Sequence, residues 1–312
     1  MEGTQPQAQR WRGIGLVLTS GSCWGFHGIL IKYAFGLGAS FIQVFLVEVL
    51  FATVFFLFFA KRFFDPVRPR TMGEWLQLSA IGGATIGVGS FLFLSFSLGP
   101  VAIAATLMFL YLPVVYGVSV AMGHQSFSLT KLSAIALILL GAVFTTELLS
   151  TFREPGILAA AGAAVGAAAS YAMVFILTPR VAGYTTLYFR SFTVSGIGLL
   201  GCLVILAINP GLWFELGDNG MKFALFAILL GVIGQTLPVV TLMKGLPITG
   251  GSLGGVLASV ELPIAVFSSA LLLGESLNLL KVVGVVLVLG GIIAYNFADR
   301  LHPSDGNSLV EI

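Results

Sequence analysis

The chain has 312 residues, of which 57% are hydrophobic and 9% are charged, and its mean hydropathy is +1.03. Soluble domains carry about 25% charged residues, so this composition excludes a soluble globular protein and indicates that the lipid bilayer is the solvent. The formal net charge of +2 is too small to indicate a nucleic-acid-binding protein.

Ten apolar runs follow one another along the chain, and most are close to the ~20 residues that a helix needs to cross a bilayer. The runs are unbroken and do not alternate with polar residues, which favours helices over membrane strands. They cover residues 13–33, 40–60, 75–98, 101–122, 131–148, 156–178, 184–208, 222–243, 249–273 and 280–298. The sequence therefore predicts an all-α integral membrane protein with ten transmembrane helices, followed by a disordered tail over residues 301–312.

The basic residues predict the orientation in the membrane, because cytoplasmic loops are enriched in Lys and Arg. With the N terminus in the cytoplasm, ten basic residues fall on the cytoplasmic side and four on the outer side. The cytoplasmic set is Arg10, Arg12, Lys61, Arg62, Arg68, Arg70, Lys131, Arg180, Lys244 and Arg300, and the outer set is Lys32, Arg153, Lys222 and Lys281. Both termini are therefore predicted to be cytoplasmic.

Polar residues of the first two runs are candidates for a substrate site, since polar groups inside a membrane are costly and usually functional. Trp24 and His27 are three residues apart, so they share one face of a helix. We interpret Trp24 as a cavity wall. His27 is either a substrate- or proton-binding group or a structural hydrogen-bonding residue. Glu48, in the middle of the second run, either faces the cavity or pairs with a cation such as Arg190 of the seventh run.

The ninth run combines a charged residue with a helix-breaking one. Glu261 and Pro263 lie two apart inside it, and Pro113 lies in the fourth run. A proline removes a backbone hydrogen bond, so we predict helix breaks there, facing a polar cavity. Glu261 is interpreted as a contact for a substrate amine or a proton-titrating group, or else as a structural partner of a cation. Further substrate-binding candidates are Tyr111, Ser170, Tyr171, Gln235 and Ser259.

The two halves of the chain resemble each other. At an offset of 150 residues, nine identities occur over 30 positions. The informative pairs are Pro113/Pro263, Lys131/Lys281 and Gly141/Gly291. Each half holds five runs, so the second half enters the membrane from the opposite side, as in inverted-repeat transporters. We predict a five-helix repeat over residues 1–150 and an inverted one over residues 151–300, around a central cavity.

In these features the sequence resembles the EamA-type branch of the drug/metabolite transporter superfamily, over nearly the whole chain. The resemblance rests on the two five-run halves, the prolines of the fourth and ninth runs, Ser22-Cys23-Trp24-Gly25, and Gly274-Glu275-Ser276 followed by Lys281 and Gly284. Within that branch the chain looks most like the bacterial YddG-type exporters of aromatic and other neutral amino acids. It departs from the pattern at Glu48, where many relatives carry Arg. The resemblance implies a multi-pass protein of the bacterial cytoplasmic (inner) membrane.

We therefore expect a secondary transporter that exports small neutral metabolites, above all amino acids including aromatic ones, by alternating access. An exporter of cationic drugs or amines on the same fold is the alternative, because two buried carboxylates suit a cation. A non-transport membrane scaffold is a third reading. The sequence is interpreted as having no HExxH, GxSxG, phosphate-loop or paired-cysteine motif, so we expect no enzyme, cofactor or metal site. The expected partners are a small-molecule substrate and the lipid bilayer, with no nucleic acid and a monomeric state.

Overall fold

The structure is a computed structural model, and it describes residues 7–62, 69–99, 101–148, 157–213, 215–274 and 276–301. From residue 302 onward the predicted disordered tail lies outside these residues. The described helices are α1 Gln7–Gly36, α2 Phe41–Arg62, α3 Met72–Leu98, α4 Val101–Leu107, α5 Tyr111–Ala121, α6 Leu129–Thr145, α7 Ile157–Ala182, α8 Leu187–Ile208, α9 Gly220–Leu229, α10 Leu237–Ala258, α11 Glu261–Leu273 and α12 Leu279–Leu301. A 3-10 turn, Met108–Leu110, joins α4 to α5, and a π-helical turn, Leu230–Thr236, joins α9 to α10.

The described helices account for all ten predicted apolar runs. Eight stretches are long and apolar enough to cross a membrane, and the 17-residue α6 is a shorter apolar helix. One of the eight, Gly217–Leu273, has 57 residues. As one straight helix it would extend about 85 Å, against a hydrocarbon core of ~30 Å, so it must contain two crossings. The predicted all-α membrane protein with ten transmembrane helices is confirmed.

The turn between the eighth and ninth crossings lies inside α10, at Gly250. This residue has φ 74° and ψ 164°, a conformation that is accessible to glycine and strained for other residues. A Cβ atom built on Gly254 would lie 2.3 Å from the Leu246 side chain, eight residues earlier. Eight residues of straight helix span about 12 Å, so the chain folds back at Gly250 and forms a helical hairpin with two arms.

Helix α1 packs along both arms of this hairpin. On the first arm, residues 13, 20 and 27 of α1 meet residues 248, 238 and 234, so the two helices run antiparallel. On the second arm, residues 21 and 25 of α1 meet residues 258 and 261, so the two run parallel. The contact residues of α1 include Gly13, Gly21 and Gly25, whose missing side chains let the helices approach closely.

The two halves pack around an approximate two-fold relation. Where α6 crosses α12, a Cβ on Gly141 would lie 2.6 Å from the carbonyl oxygen of Gly284, and one on Gly291 would lie 2.7 Å from that of Ala134. Gly141 is equivalent to Gly291 and Ala134 to Gly284 at the offset of 150, so exchanging the two halves converts one contact into the other. The predicted arrangement of two inverted five-helix repeats is therefore confirmed, while the boundary at residues 150 and 151 lies outside the described residues.

The bundle has two faces that are used below. The amino-terminal face is the one at which α1 begins, and it also holds the Gly250 turn, the turn at residues 122–128 and the end of α12. The distal face holds the turn at residues 37–40, the end of α6 and residues 276–278 before α12. In the predicted orientation, the amino-terminal face would be cytoplasmic.

Candidate functional site

The fourth and ninth crossings, which contain Pro113 and Pro263, change their helical geometry just before the proline. The fourth crossing passes through a 3-10 turn into α5, which begins at Tyr111. The ninth crossing has a turn before α11, which begins at Glu261. Tyr111 and Glu261 therefore occupy equivalent places, each two residues before Pro113 or Pro263. Glu261 lies in the first turn of α11, where the helix dipole favours a negative charge.

A histidine–carboxylate pair joins α1 to α2. His27 Nε2 is hydrogen bonded to Glu48 Oε1, and these side chains are 15% and 3% exposed. Gly234 of the π-helical turn packs against the pair, since a Cβ there would lie 2.7 Å from each of the two bonded atoms. Glu261 interacts electrostatically with His27. His27 of α1 therefore lies within electrostatic range of two carboxylates, Glu48 of α2 and Glu261 of α11, inside apolar crossings where such groups are rare and usually functional.

Aromatic side chains lie beside these charged groups. The Trp24 indole N–H donates to the Gly234 carbonyl at 3.1 Å, and the Trp24 ring meets Tyr171 edge-on, with 6.0 Å between the centroids. Tyr171 contacts Tyr111 at 4.8 Å, and Tyr111 stacks on Phe175 at 5.1 Å. Glu261 interacts electrostatically with both tyrosines. We call the set Trp24, His27, Glu48, Tyr111, Tyr171 and Glu261 the central cluster.

Several donors that could have held a substrate carboxylate are already engaged. The Tyr111 hydroxyl donates to the Gly255 carbonyl at 2.7 Å, and the Ser259 hydroxyl donates to the Val256 carbonyl at 2.6 Å. Trp24 donates to Gly234, as described above. In this conformation the central cluster therefore complements a positively charged group better than a negatively charged one.

Two predicted substrate-binding residues lie in helix contacts next to the central cluster. The Ser170 hydroxyl donates to the Gly166 carbonyl of its own helix at 2.9 Å, and Ser170 packs against Gly87 of α3. Gln235 is buried in the π-helical turn, next to Gly234. Both positions fit a role in helix packing.

The buried Arg190 does not pair with Glu48. Its guanidinium donates to the Thr185 hydroxyl at 3.0 Å and to the Met243 carbonyl at 2.8 Å. The hydrogen-bonding partner of Glu48 is His27. Arg190 therefore ties the loop before α8 to the first arm of the hairpin.

A cavity of about 330 Å³ lies between the two halves at the distal face. Its walls combine apolar side chains with hydroxyl groups and two lysines. The lining residues are Lys32, Ala102, Ala105, Thr145, Thr146, Leu262, Ala265, Val266, Ser269, Ala270, Ser276, Leu277 and Lys281. None of the nine predicted substrate-binding residues is among them, but Leu262 directly follows Glu261. Leu262 is therefore the lining residue that lies nearest to the helix break in sequence.

At the amino-terminal face, a buried polar network joins the ends of several helices. Lys131 is fully buried, and its ammonium group donates to Asp299 Oδ1 at 2.8 Å and to Gln125 Oε1 at 3.0 Å. Arg10 donates to the other oxygen of Asp299 at 3.2 Å. Gln125 donates to Ser252, which is hydrogen bonded to Tyr295. We call these six residues the Asp299 network.

Sequence reasoning missed the Asp299 network. In the sequence analysis Arg10 served only as an orientation signal, and Lys131 served as an orientation signal and as the repeat equivalent of Lys281. The predicted tenth run ended at residue 298, one residue short of Asp299. An acidic residue directly after an apolar run was the available signal, because such a group lies close enough to the membrane to need a partner.

The expectation that the sequence lacks a GxSxG pattern is wrong, because residues 250–254 fit this pattern of serine hydrolases. Ser252 follows the turn at Gly250 inside a membrane crossing and is hydrogen bonded to Gln125 and Tyr295. Within the described residues, no group of three or more His, Cys, Asp or Glu side chains could hold a metal ion.

Comparison with known proteins agrees with this architecture. A solved structure described as "Crystal structure of protein" superposes with a TM-score of 0.77 at 16% sequence identity, covering 93% of this chain and 98% of that chain. A search of curated proteins gave no match. The sequence model of the EamA-like transporter family matches residues 11–147 and again residues 155–297, one match in each half. Because these matches cover most of the chain, the protein belongs to the EamA-like transporter family of membrane transporters.

Proposed function

We propose that this protein is a secondary transporter that exports small neutral amino acids, including aromatic ones, by alternating access, as a YddG-type exporter of a bacterial inner membrane. In this proposal it acts as a monomer with both termini in the cytoplasm. The observation that carries it is the central cluster, which places two carboxylates and three aromatic rings between the inverted halves, at both helix breaks.

The central cluster has groups for two parts of such a substrate. Glu261 and Glu48 supply negative charge for an α-ammonium group, which is expensive to dehydrate without an ionic partner. Trp24 and Tyr171 supply aromatic faces for an apolar side chain and can also attract a cation. The cavity, which ends next to Glu261 at Leu262, provides the way out on the distal face.

A second candidate is export of cationic amines or drugs. The engaged hydroxyls of Tyr111 and Ser259 favour it, because a zwitterion also needs donors for its carboxylate. An amine without a carboxylate needs only the acidic residues and the aromatic rings. The two candidates therefore differ in one chemical group of the substrate.

Flux measurements in proteoliposomes separate the two candidates. The panel contains labelled leucine and tryptophan, their amides, which keep the amine and lose the carboxylate, and a quaternary amine. The proposal expects flux of leucine and tryptophan above empty liposomes. Flux of the amides and the quaternary amine without the amino acids would support the second candidate, and no amino-acid flux would remove the first.

A matched pair of tryptophan variants links the flux to the central cluster. Trp24→Ala should reduce tryptophan export at least about tenfold, in line with a lost aromatic contact of about 1.5 kcal/mol. Trp213→Ala, at an exposed tryptophan of the distal loop, should leave export unchanged. Equal effects of the two substitutions would place the substrate elsewhere.

A further inference from the structure

The two faces of the bundle differ although the two halves are related. The amino-terminal face is joined by the Asp299 network, whereas the distal face holds the cavity. Lys131 and Lys281 are equivalent at the offset of 150, yet Lys131 is fully buried and Lys281 lines the cavity. Val115 and Ala265 show the same contrast, since Val115 is 1% exposed and Ala265 lines the cavity.

Such a contrast is expected when two inverted halves adopt different conformations. Exchanging the conformations of the halves would give a second state with the opposite face open. In that state Val115 and Lys131 would line a cavity at the amino-terminal face, and Ala265 and Lys281 would be buried.

We propose that the Asp299 network is the gate at the amino-terminal face and that Lys131 and Asp299 hold it closed. In the opposite state, in which the distal face is closed, Lys281 takes the buried position that Lys131 has here. This inference rests on the proposed alternating-access transport. The network suits the role because its members come from α1, α6, α10, α12 and the turn before α6. Those helix ends must separate for a substrate to enter from that face.

The chemistry of the network makes it a two-state element. When the face is closed, the buried Lys131 ammonium is paired with the Asp299 carboxylate, and the partly exposed Arg10 bonds the same carboxylate from the rim. Water would solvate the same groups when the face is open. Removing one partner leaves Lys131 buried with less compensation, which penalises the closed state only. Loss of Asp299 should therefore shift the population towards the opposite state.

Cysteine accessibility tests the shift without any substrate. In a Cys23→Ala/Cys202→Ala background, Ala265→Cys and Val115→Cys are labelled with a membrane-impermeant thiol reagent in detergent. The described conformation predicts fast labelling at 265 and slow labelling at 115. Adding Asp299→Asn should raise the rate at 115 by at least about tenfold, as expected for a state that is otherwise a 0.1–10% minority, and should lower the rate at 265.

Two matched variants separate gating from general damage. Arg300→Gln changes the neighbouring charge, which lies over the Trp11 ring and outside the network, and should leave both rates unchanged. Asp299→Glu keeps the carboxylate, so the labelling rates at 115 and 265 should be close to those of the protein with Asp299. If Asp299→Asn does not elute as a single species, Gln125→Ala removes only one partner of Lys131 and should give the same opposite changes at smaller size.

The outcomes are distinct. Opposite changes at 115 and 265 support the gate. Faster labelling at both positions would show loosening of the fold, and unchanged rates in monodisperse protein would show that the network does not control the face; either result overturns the proposal. Absence of flux in the wild-type protein would instead refute the proposed function, because the labelling rates do not depend on a substrate.

Discussion

Gly25 provides a direct test of the packing between α1 and the break in the ninth crossing. A Cβ on Gly25 would lie 2.7 Å from the carbonyl oxygen of Glu261 and 2.7 Å from Ile264 Cβ. The first of these is a backbone atom, so no rotamer change can relieve the clash, and α1 and α11 must move apart. Overpacking of this kind costs about 1–3 kcal/mol.

Gly28 is the matched control for Gly25→Ala. It lies on the same helix one turn later, and a Cβ there would meet nothing within 4 Å. Both substitutions gain the same helix propensity, up to ~1 kcal/mol, so their difference isolates the clash. At about 2 °C per kcal/mol, Gly25→Ala should unfold ~2–6 °C below Gly28→Ala. Intrinsic tryptophan fluorescence during heating in detergent measures the difference, and equal midpoints would refute the described approach of α1 to Glu261.

Three further predictions concern the central cluster and its surroundings. Glu261→Gln or Glu48→Gln should reduce the dependence of transport on a pH gradient, and unchanged pH dependence in both variants would exclude these carboxylates as proton carriers. Tyr111→Phe should lower the free energy of unfolding by about 1 kcal/mol, because the Gly255 carbonyl loses its donor; denaturant titration measures it, and no loss would contradict the bond. Ser170→Ala should keep wild-type flux in proteoliposomes, because that hydroxyl bonds within its own helix, and a large drop would return Ser170 to the substrate site.

The helices were predictable because the bilayer imposes a length and an apolar composition on each crossing. The link between the eighth and ninth runs was predicted at residues 244–248, where Lys244 and Pro247 interrupt the apolar sequence, and the structure places the turn slightly later, at Gly250. The π-helical turn at Leu230–Thr236 was not predicted, because it lies in apolar sequence and depends on what packs beside it. Gly234 shows why, because its place in the π-helical turn is defined by His27 and Glu48, about 200 residues earlier.

The candidate site was predictable as a set of residues and not as a set of contacts. An ionisable group in an apolar run stands out, so Glu48, His27 and Glu261 were named as candidates, and the structure brings them close together. Sequence alone left Arg190 as a candidate partner of Glu48, and only the packing of α1 on α2 selects His27. The engaged hydroxyls, like that of Tyr111, show the same limit, because a donor is visible in the sequence and its acceptor is not.

The position of α1 between the two arms of the Gly250 hairpin bears on how the protein is made. A ribosome adds roughly 5–20 residues per second, so the arms emerge about 10–40 s after the helix they enclose. During that interval Gly13, Gly21 and Gly25 of α1 lack the neighbours on the hairpin that they meet in the finished bundle. In nascent chains stalled before residue 264, α1 should therefore remain in contact with membrane insertases or lipid. Once the last third of the chain has been released, α1 should lose these contacts.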